Sequence, residues 1–184
     1  MTDKKMMDAI TYAANKHDGQ KRKADSTPYI IHPYRVAMRL KAAGLEDHVV
    51  IAGLLHDIVE DTDGTLDEIS TLFGAKVAKL VEIASEPEKS AAWEERKQHT
   101  IDTVKSAPIE GKLVVCADKI DNLQSIIDNE STLGIEIWQS FKRGKESQQW
   151  YYQNIYQSLI YDLNGEEHHE LFTELKSLLD QFLQ

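Results

Sequence analysis

A chain of 184 residues, 41% hydrophobic and 28% charged, can bury one conventional core, and its 9 Gly and 4 Pro exclude a disordered or fibrous protein. Its formal charge of −10 argues against non-specific nucleic-acid binding but leaves room for a small anionic ligand in a local basic pocket. A single cysteine, Cys116, excludes an internal disulfide, and the opening "MTDKKMMDAITYAANKHDG" lacks the apolar run of a signal peptide or membrane span, so a cytoplasmic protein is expected.

In chain order the apolar periods are helical, with almost no alternation. Met7, Ile10 and Ala14 predict a first helix with that face inward, Val36, Met38 and Leu40 a second, and Val49 to Val59 a third, buried one. "TLDE" at 65–68 has the spacing of a capping box, and Gly74 stops the short helix it opens, so another begins at Ala75. Pro87 and Pro108 bracket a loop and an exposed helix carrying Trp93, Ile101 and Val104. "GKLVVCADKIDNLQSII" at 111–127 starts with β-prone residues, but its length and its Ala117, Leu123, Ile126, Ile127 pattern favour a buried helix. The last third is aromatic and leucine-rich at helical spacing, divided by "NGEEHH", with Trp150, Tyr151 and Tyr152 read as core, one of them also able to close a pocket. The expectation is an all-α single domain over 1–184, its motif-bearing part at about 8–127 and the helices of 128–184 packed on it.

The chemistry gathers in "AGLLHDIVEDTDG" at 52–64. No Lys or Arg stands between Lys41 and Lys76, while Asp57, Glu60, Asp61 and Asp63 crowd a helix end, where the macrodipole disfavours negative charge. On one continuous helix His56 and Glu60, and Asp57 and Asp61, are i, i+4 pairs, forming two adjacent rows. A solvated acidic helix end is the bland reading. The apolar "VVIAGLL" directly before His56 and Asp57 weighs against it, because buried carboxylates are normally paired or metal-bound. His32 in "PYIIHPYRVA" and Asp118 in "VVCADKIDNL" stand in similar apolar settings. Together His32, His56, Asp57 and Asp118 make a set of two nitrogens and two carboxylates suited to Mn²⁺, Fe²⁺ or Zn²⁺. Asp63 with Gly64 reads as the turn before Thr65.

The order His32, His56-Asp57, Asp118 resembles the H…HD…D signature of HD-domain metal-dependent phosphohydrolases. "YIIHP", "GLLHDIVEDT", "LFGAKVAKLV" and "ADKIDNL" narrow the resemblance to the hydrolase domain of RelA/SpoT proteins and the stand-alone small alarmone hydrolases. It implies an HD-type helical bundle of roughly 8–10 helices, with His32, His56, Asp57 and Asp118 holding Mn²⁺. It implies that Glu60 and Asp61 orient and activate the attacking water, and that Asn122, with Ser125 on the same face, contacts substrate. Arg22 and Lys23, in the basic triplet of "GQKRKADSTPYIIHP", match a pair that lies over a purine and near phosphate, although this loop is one residue longer than the family pattern; Asp121 replaces the usual His, Tyr or Ser.

The activity so implied is hydrolysis of the 3′-pyrophosphate of (p)ppGpp to GDP or GTP and pyrophosphate. At 184 residues no room is left for the synthetase and regulatory domains of the long relatives, so the expectation is hydrolase-only. The alternatives are the same chemistry on a (p)ppApp-type alarmone or NADPH, and a silent HD-fold nucleotide-binding or interaction module. The expected partner is a small nucleotide, with no nucleic acid and no membrane; a homo-oligomer is left open.

Overall fold

The computed structural model describes residues 2–22, 26–86, 90–165 and 168–184, the side chains of Thr2 and Asp3 excepted. Its helices are α1 (Thr2–Lys16), α2 (Ile31–Ala42), α3 (Asp47–Leu55), α4 (Ile58–Asp61), α5 (Leu66–Phe73), α6 (Ala75–Ala84), α7 (Trp93–Lys105), α8 (Ile109–Leu133), a 3₁₀ turn at Gly134–Ser140, α9 (Lys145–Leu159) and α10 (Glu170–Phe182). No strand forms among the described residues; the sole extended pairing is a bridge between Lys21 and Pro28 that closes the basic loop.

Helix α3 lies at the centre. Every residue from Val49 to Leu55 is buried, as expected of a helix apolar on all sides, and α1, α2, α6 and α8 pack around it. Gly53 lets α2 approach: a Cβ there would overlap Leu40 Cδ1 and stand 3.3 Å from Val36 Cγ1. Helix α8 is the second pillar, buried from Gly111 to Asp121. One apolar core runs from Ala9 to Phe182, drawing on both the motif-bearing segment and the last two helices.

Local signals act as read from sequence at several joints. Thr65 accepts a hydrogen bond from the Glu68 amide (3.2 Å) while Glu68 accepts one from the Thr65 amide (3.0 Å), closing the capping box, a device that contributes about 1 kcal/mol. Gly74, at φ 102°, separates α5 from α6 in a conformation costly for residues bearing a Cβ. Pro33 occupies the first turn of α2, where its missing N–H costs nothing.

Other expectations change. In α1 the inward residues are Ala9 and Ala13, and Met7 is 60% exposed; in α2 Val36 and Leu40 point inward and Met38 is 48% exposed. Small alanines admit close packing against α3, so the buried face of α1 does not follow its largest apolar side chains. Tyr151 and Tyr152 belong to the core, but Trp150 is 39% exposed beside Trp93. The continuous helix expected through 56–61 is interrupted: α3 ends at Leu55, His56 and Asp57 form a turn with Asp57 at φ −93°, ψ −1°, and α4 begins at Ile58.

Candidate active site

Three elements deliver three buried ligand-type side chains, and the partly exposed Asp57, to one point. The first turn of α2 brings His32, the α3–α4 break brings His56 and Asp57, and the middle of α8 brings Asp118. His32, His56 and Asp118 each offer an atom within 4.8 Å of the others. Asp57 Oδ2 lies 3.1 Å from His56 Nε2 and 3.5 Å from His32 Nε2, and Asp118 Oδ1 lies 3.2 Å from His32 Nε2 and 3.5 Å from His56 Nε2.

The outer nitrogens fix both rings. His56 Nδ1 donates to the Gly53 carbonyl at 2.8 Å, and His32 Nδ1 donates to Asp121 Oδ2 at 2.7 Å, so both Nε2 atoms face the carboxylates. Although His56 Nε2 is close to Asp57 and Asp118, neither contact has hydrogen-bond geometry, and this fully buried nitrogen has no partner among the described residues. A lone pair aimed between two carboxylates, with a second imidazole and no thiolate, fits a divalent cation.

Electrostatics agree with that fit. Burial pushes the Asp57 carboxyl up, but the neighbouring His56 and His32 imidazoles outweigh it and hold Asp57 well below the usual range. Burial likewise opposes ionisation of Asp118, and Lys119 and the two imidazoles overcome it. Both carboxylates are therefore ionised at neutral pH and draw positive charge, raising both histidines against the burial that would lower them.

Glu60 and Asp61 line a cavity of about 640 Å³ beside this cluster, together with Arg22, Asn122 and Ser125. Glu60 is raised from 4.5 to about 7 by burial and by the charges of Glu86, Asp57 and Asp61. Its Oε2 accepts from the Glu86 amide at 3.3 Å, and Arg96 Nη1 stands 3.9 Å from Oε1. Asp61 is anchored through its carbonyl, which accepts from Gln20 Nε2 at 2.8 Å. Arg22 Nη2 donates to Asn122 Oδ1 at 3.3 Å, and Asn122 Nδ2 donates to Asp118 Oδ1. Lys23 lies outside the described residues. Asp63 is set apart, paired with Lys16 at 2.8 Å.

Sequence reasoning missed Tyr29. Its hydroxyl donates its proton between Asp57 Oδ2 at 2.7 Å and Asp61 Oδ2 at 3.0 Å, linking a ligand-type carboxylate to a cavity carboxylate. Burial, then those two charges, push the phenol far above its ordinary value and keep it protonated. Asp121 was noted only as an unusual residue, yet its i, i+3 spacing from Asp118 placed both on one face of a helix. Glu86, Arg96, Lys97 and Lys119, all lining the cavity, carried no local signal.

Residues 9–142 match the HD domain family. The guanosine-3′,5′-bis(diphosphate) 3′-pyrophosphohydrolase MESH1 of Mus musculus is 44% identical over 124 residues, 66% of this chain and 69% of that protein. MESH1 of Drosophila melanogaster is 37% identical over 131 residues, 70% and 73% of the two chains. Among solved structures, a metazoan ortholog of SpoT described as hydrolysing ppGpp superposes with a TM-score of 0.78 at 30% identity, covering 96% of this chain and 94% of that one. The protein lmo0812 of Listeria monocytogenes EGD-e gives 0.77 at 44% identity, covering 83% and 99%. The chain belongs to the HD-domain family and, within it, to the guanosine-3′,5′-bis(diphosphate) 3′-pyrophosphohydrolases.

Proposed function

We propose that this enzyme hydrolyses the 3′-pyrophosphate of guanosine 3′,5′-bis(diphosphate) and its pentaphosphate form, giving GDP or GTP and pyrophosphate, with Mn²⁺ held by His32, His56, Asp57 and Asp118. The observation that carries this reading is the convergence of the buried His32, His56 and Asp118 with the partly exposed Asp57 beside a cation-lined cavity on whose wall Glu60 and Asp61 stand. The likeness to the 3′-pyrophosphohydrolases supports the substrate.

The bound ion would supply Lewis acidity toward the phosphoryl oxygens and lower the pKa of water. The chain's own residues do the rest. Glu60, with a pKa of about 7, is poised near neutral pH to accept the proton of the attacking water. Asp61, tied through Tyr29 to Asp57, orients that water. The water oxygen bonds to the phosphorus attached to O3′, the O3′–P bond breaks, O3′ takes up a proton as the hydroxyl, and pyrophosphate carries the new oxygen away. Arg22 and Lys23 hold the base and a phosphate of the nucleotide, Asn122 contacts it next to the reacting centre, and Ser125 on the following turn of α8 adds a polar contact.

The continuous core from Ala9 to Phe182 supports treating residues 1–184 as one domain, with α9 adding Tyr151 and Tyr152 to the cavity wall. No helix among the described residues is long and apolar enough to cross a membrane, which accords with a cytoplasmic enzyme acting on a soluble nucleotide. The test is turnover of a panel containing ppGpp, pppGpp, ppApp and NADPH by Mn²⁺-loaded protein, with products resolved by ion-exchange chromatography. GDP and pyrophosphate from ppGpp, abolished by chelation and restored by Mn²⁺, is the expected result. Cleavage of ppApp or NADPH alone, or of none of the four, would overturn it.

A further inference from the structure

The turn after α1 carries His17 and Gln20, in "HDGQ" at 17–20, outside the set of residues that meets the ion or the nucleotide. His17 is 2% exposed, and its Nδ1 donates to Gln20 Oε1 at 2.8 Å. Gln20, half-buried on the cavity wall, turns its Nε2 to the Asp61 carbonyl. The Gln20 carbonyl in turn accepts from the Tyr29 amide at 2.9 Å, and the His17 and Tyr29 ring centres lie 5.1 Å apart.

A glutamine amide has a donor end and an acceptor end, and His17 selects which of them meets Asp61. His17 Nε2 is buried with no hydrogen-bond partner among the described residues, so a hydrogen there would be an unmatched buried donor. The hydrogen therefore sits on Nδ1, where it takes Gln20 Oε1 and leaves Gln20 Nε2 for the Asp61 carbonyl. Turned over, the amide would set its oxygen against that carbonyl oxygen and its nitrogen against the His17 donor. The carbonyl so served closes α4, a helix of four residues whose last carbonyls lack intrahelical partners.

We infer that His17 and Gln20 are positioning residues for Asp61, acting on the reaction through the carboxylate that orients the attacking water. This rests on the function proposed above. Gln20 reaches both supports of Asp61: it binds the Asp61 carbonyl directly, and its own carbonyl holds the backbone of Tyr29, whose hydroxyl donates to Asp61 Oδ2 at 3.0 Å. Neither His17 nor Gln20 touches the four ligand-type side chains, so loss of the pair displaces the water-orienting carboxylate and leaves the ion in place. A displacement of about 1 Å near reacting atoms slows chemistry by up to about a hundredfold.

The experiment compares Mn²⁺-loaded wild type, Gln20→Met, His17→Leu and His17→Asn in two readouts: ppGpp kinetics, and hydrogen exchange at the Asp61 and Thr62 amides, which donate to the Asp57 and Ile58 carbonyls. In Gln20→Met and His17→Leu kcat falls about 10–100-fold, KM stays within about twofold, and exchange at the two amides quickens about tenfold or more. His17→Asn, whose amide nitrogen can donate to Gln20 in place of Nδ1, recovers most of both losses. Unchanged kcat, a raised KM with kcat intact, or unchanged exchange in the first two variants overturns the positioning role, and His17→Asn as impaired as His17→Leu removes His17 from it. If His17→Leu fails to fold, Gln20→Met at its half-buried position still gives both readouts. Exchange is read without turnover, so the two ideas fail separately. Wild type that leaves ppGpp intact while exchange responds as expected sinks only the substrate. Wild type that cleaves ppGpp while the variants keep its kcat and exchange sinks only the positioning role.

Discussion

Replacing Glu60 by glutamine stabilises the fold above neutral pH while removing most of the turnover. Burial and the charges of Glu86, Asp57 and Asp61 raise this carboxyl from 4.5 to about 7. Between those values the folded protein holds a proton that the unfolded chain has released, so stability falls as pH rises through the window and stays low above it. At about 1.36 kcal/mol per pH unit the penalty reaches about 3 kcal/mol. The side chain is 19% exposed and its oxygen lies 3.9 Å from Arg96, a favourable contact that glutamine weakens, which trims the expected gain to about 2–3 kcal/mol. The amide can still accept from the Glu86 N–H, now 3.3 Å away.

Thermal unfolding of chelator-treated wild type and Glu60→Gln checks this. For a domain of this size about 2–4 °C accompanies each kcal/mol, so the variant melts about 4–12 °C higher at pH 8 and nearly level with wild type at pH 4.5. In Mn²⁺-loaded protein the gain is smaller, since a cation beside Asp57 offsets the repulsion that raises Glu60. Turnover of ppGpp falls by about 10²–10⁴ if Glu60 is the base. Equal melting at pH 8, or a gain that does not change with pH, would refute the electrostatic account; unchanged turnover would refute the role.

Tyr29→Phe removes the proton shared by Asp57 and Asp61, and loss of such a supporting group lowers kcat or Mn²⁺ affinity about 10–100-fold; normal values of both after dialysis would show the phenol to be dispensable. Asp121→Ala frees the His32 ring from the partner 2.7 Å from its Nδ1. Chelator competition should then show about 10–100-fold weaker Mn²⁺ binding, and an unaltered affinity would count against that support. Gly53→Ala forces a methyl group against Leu40 between α2 and α3. An overpacked core costs about 1–3 kcal/mol, read as a lower Tm, and an unshifted melt would mean the interface relaxes freely.

What was legible in the sequence is what short-range physics determines. Thr65 and Glu68 are three residues apart and close their box without help from the rest of the chain. The apolar run before His56 announces burial, and buried imidazole and carboxylate together announce a ligand. The partners of those groups were not legible, because they arrive across the fold: Tyr29 reaches Asp57 over 28 residues, Asp121 reaches His32 over 89, and Arg96 reaches Glu60 from another helix. The acidic run that lacked a basic neighbour in sequence finds Lys16 and Arg96 in space. Helix α1 shows the converse limit, since a hydrophobic period gives the existence of a buried face and leaves its phase to the neighbour it meets.

The interruption at His56–Asp57 is the feature on which the site depends. Consecutive side chains on a regular helix diverge by about 100°, yet here His56 Nε2 and Asp57 Oδ2 come to 3.1 Å. Asp57 takes the sparsely populated bridge conformation common at active sites, which ends α3 while its side chain turns back toward His56. Two contacts then hold the short α4 in place: Tyr29 on both Asp57 and Asp61, and Gln20 on the Asp61 carbonyl. Burial separates the groups as their chemistry requires. His32, His56 and Asp118 are 1–6% exposed, where water cannot compete for their lone pairs, and Glu60 and Asp61 stand on the cavity wall, where water must enter. A continuous helix would have aligned His56 with Glu60 and Asp57 with Asp61; the break lets one short stretch of chain serve both the ion and the water.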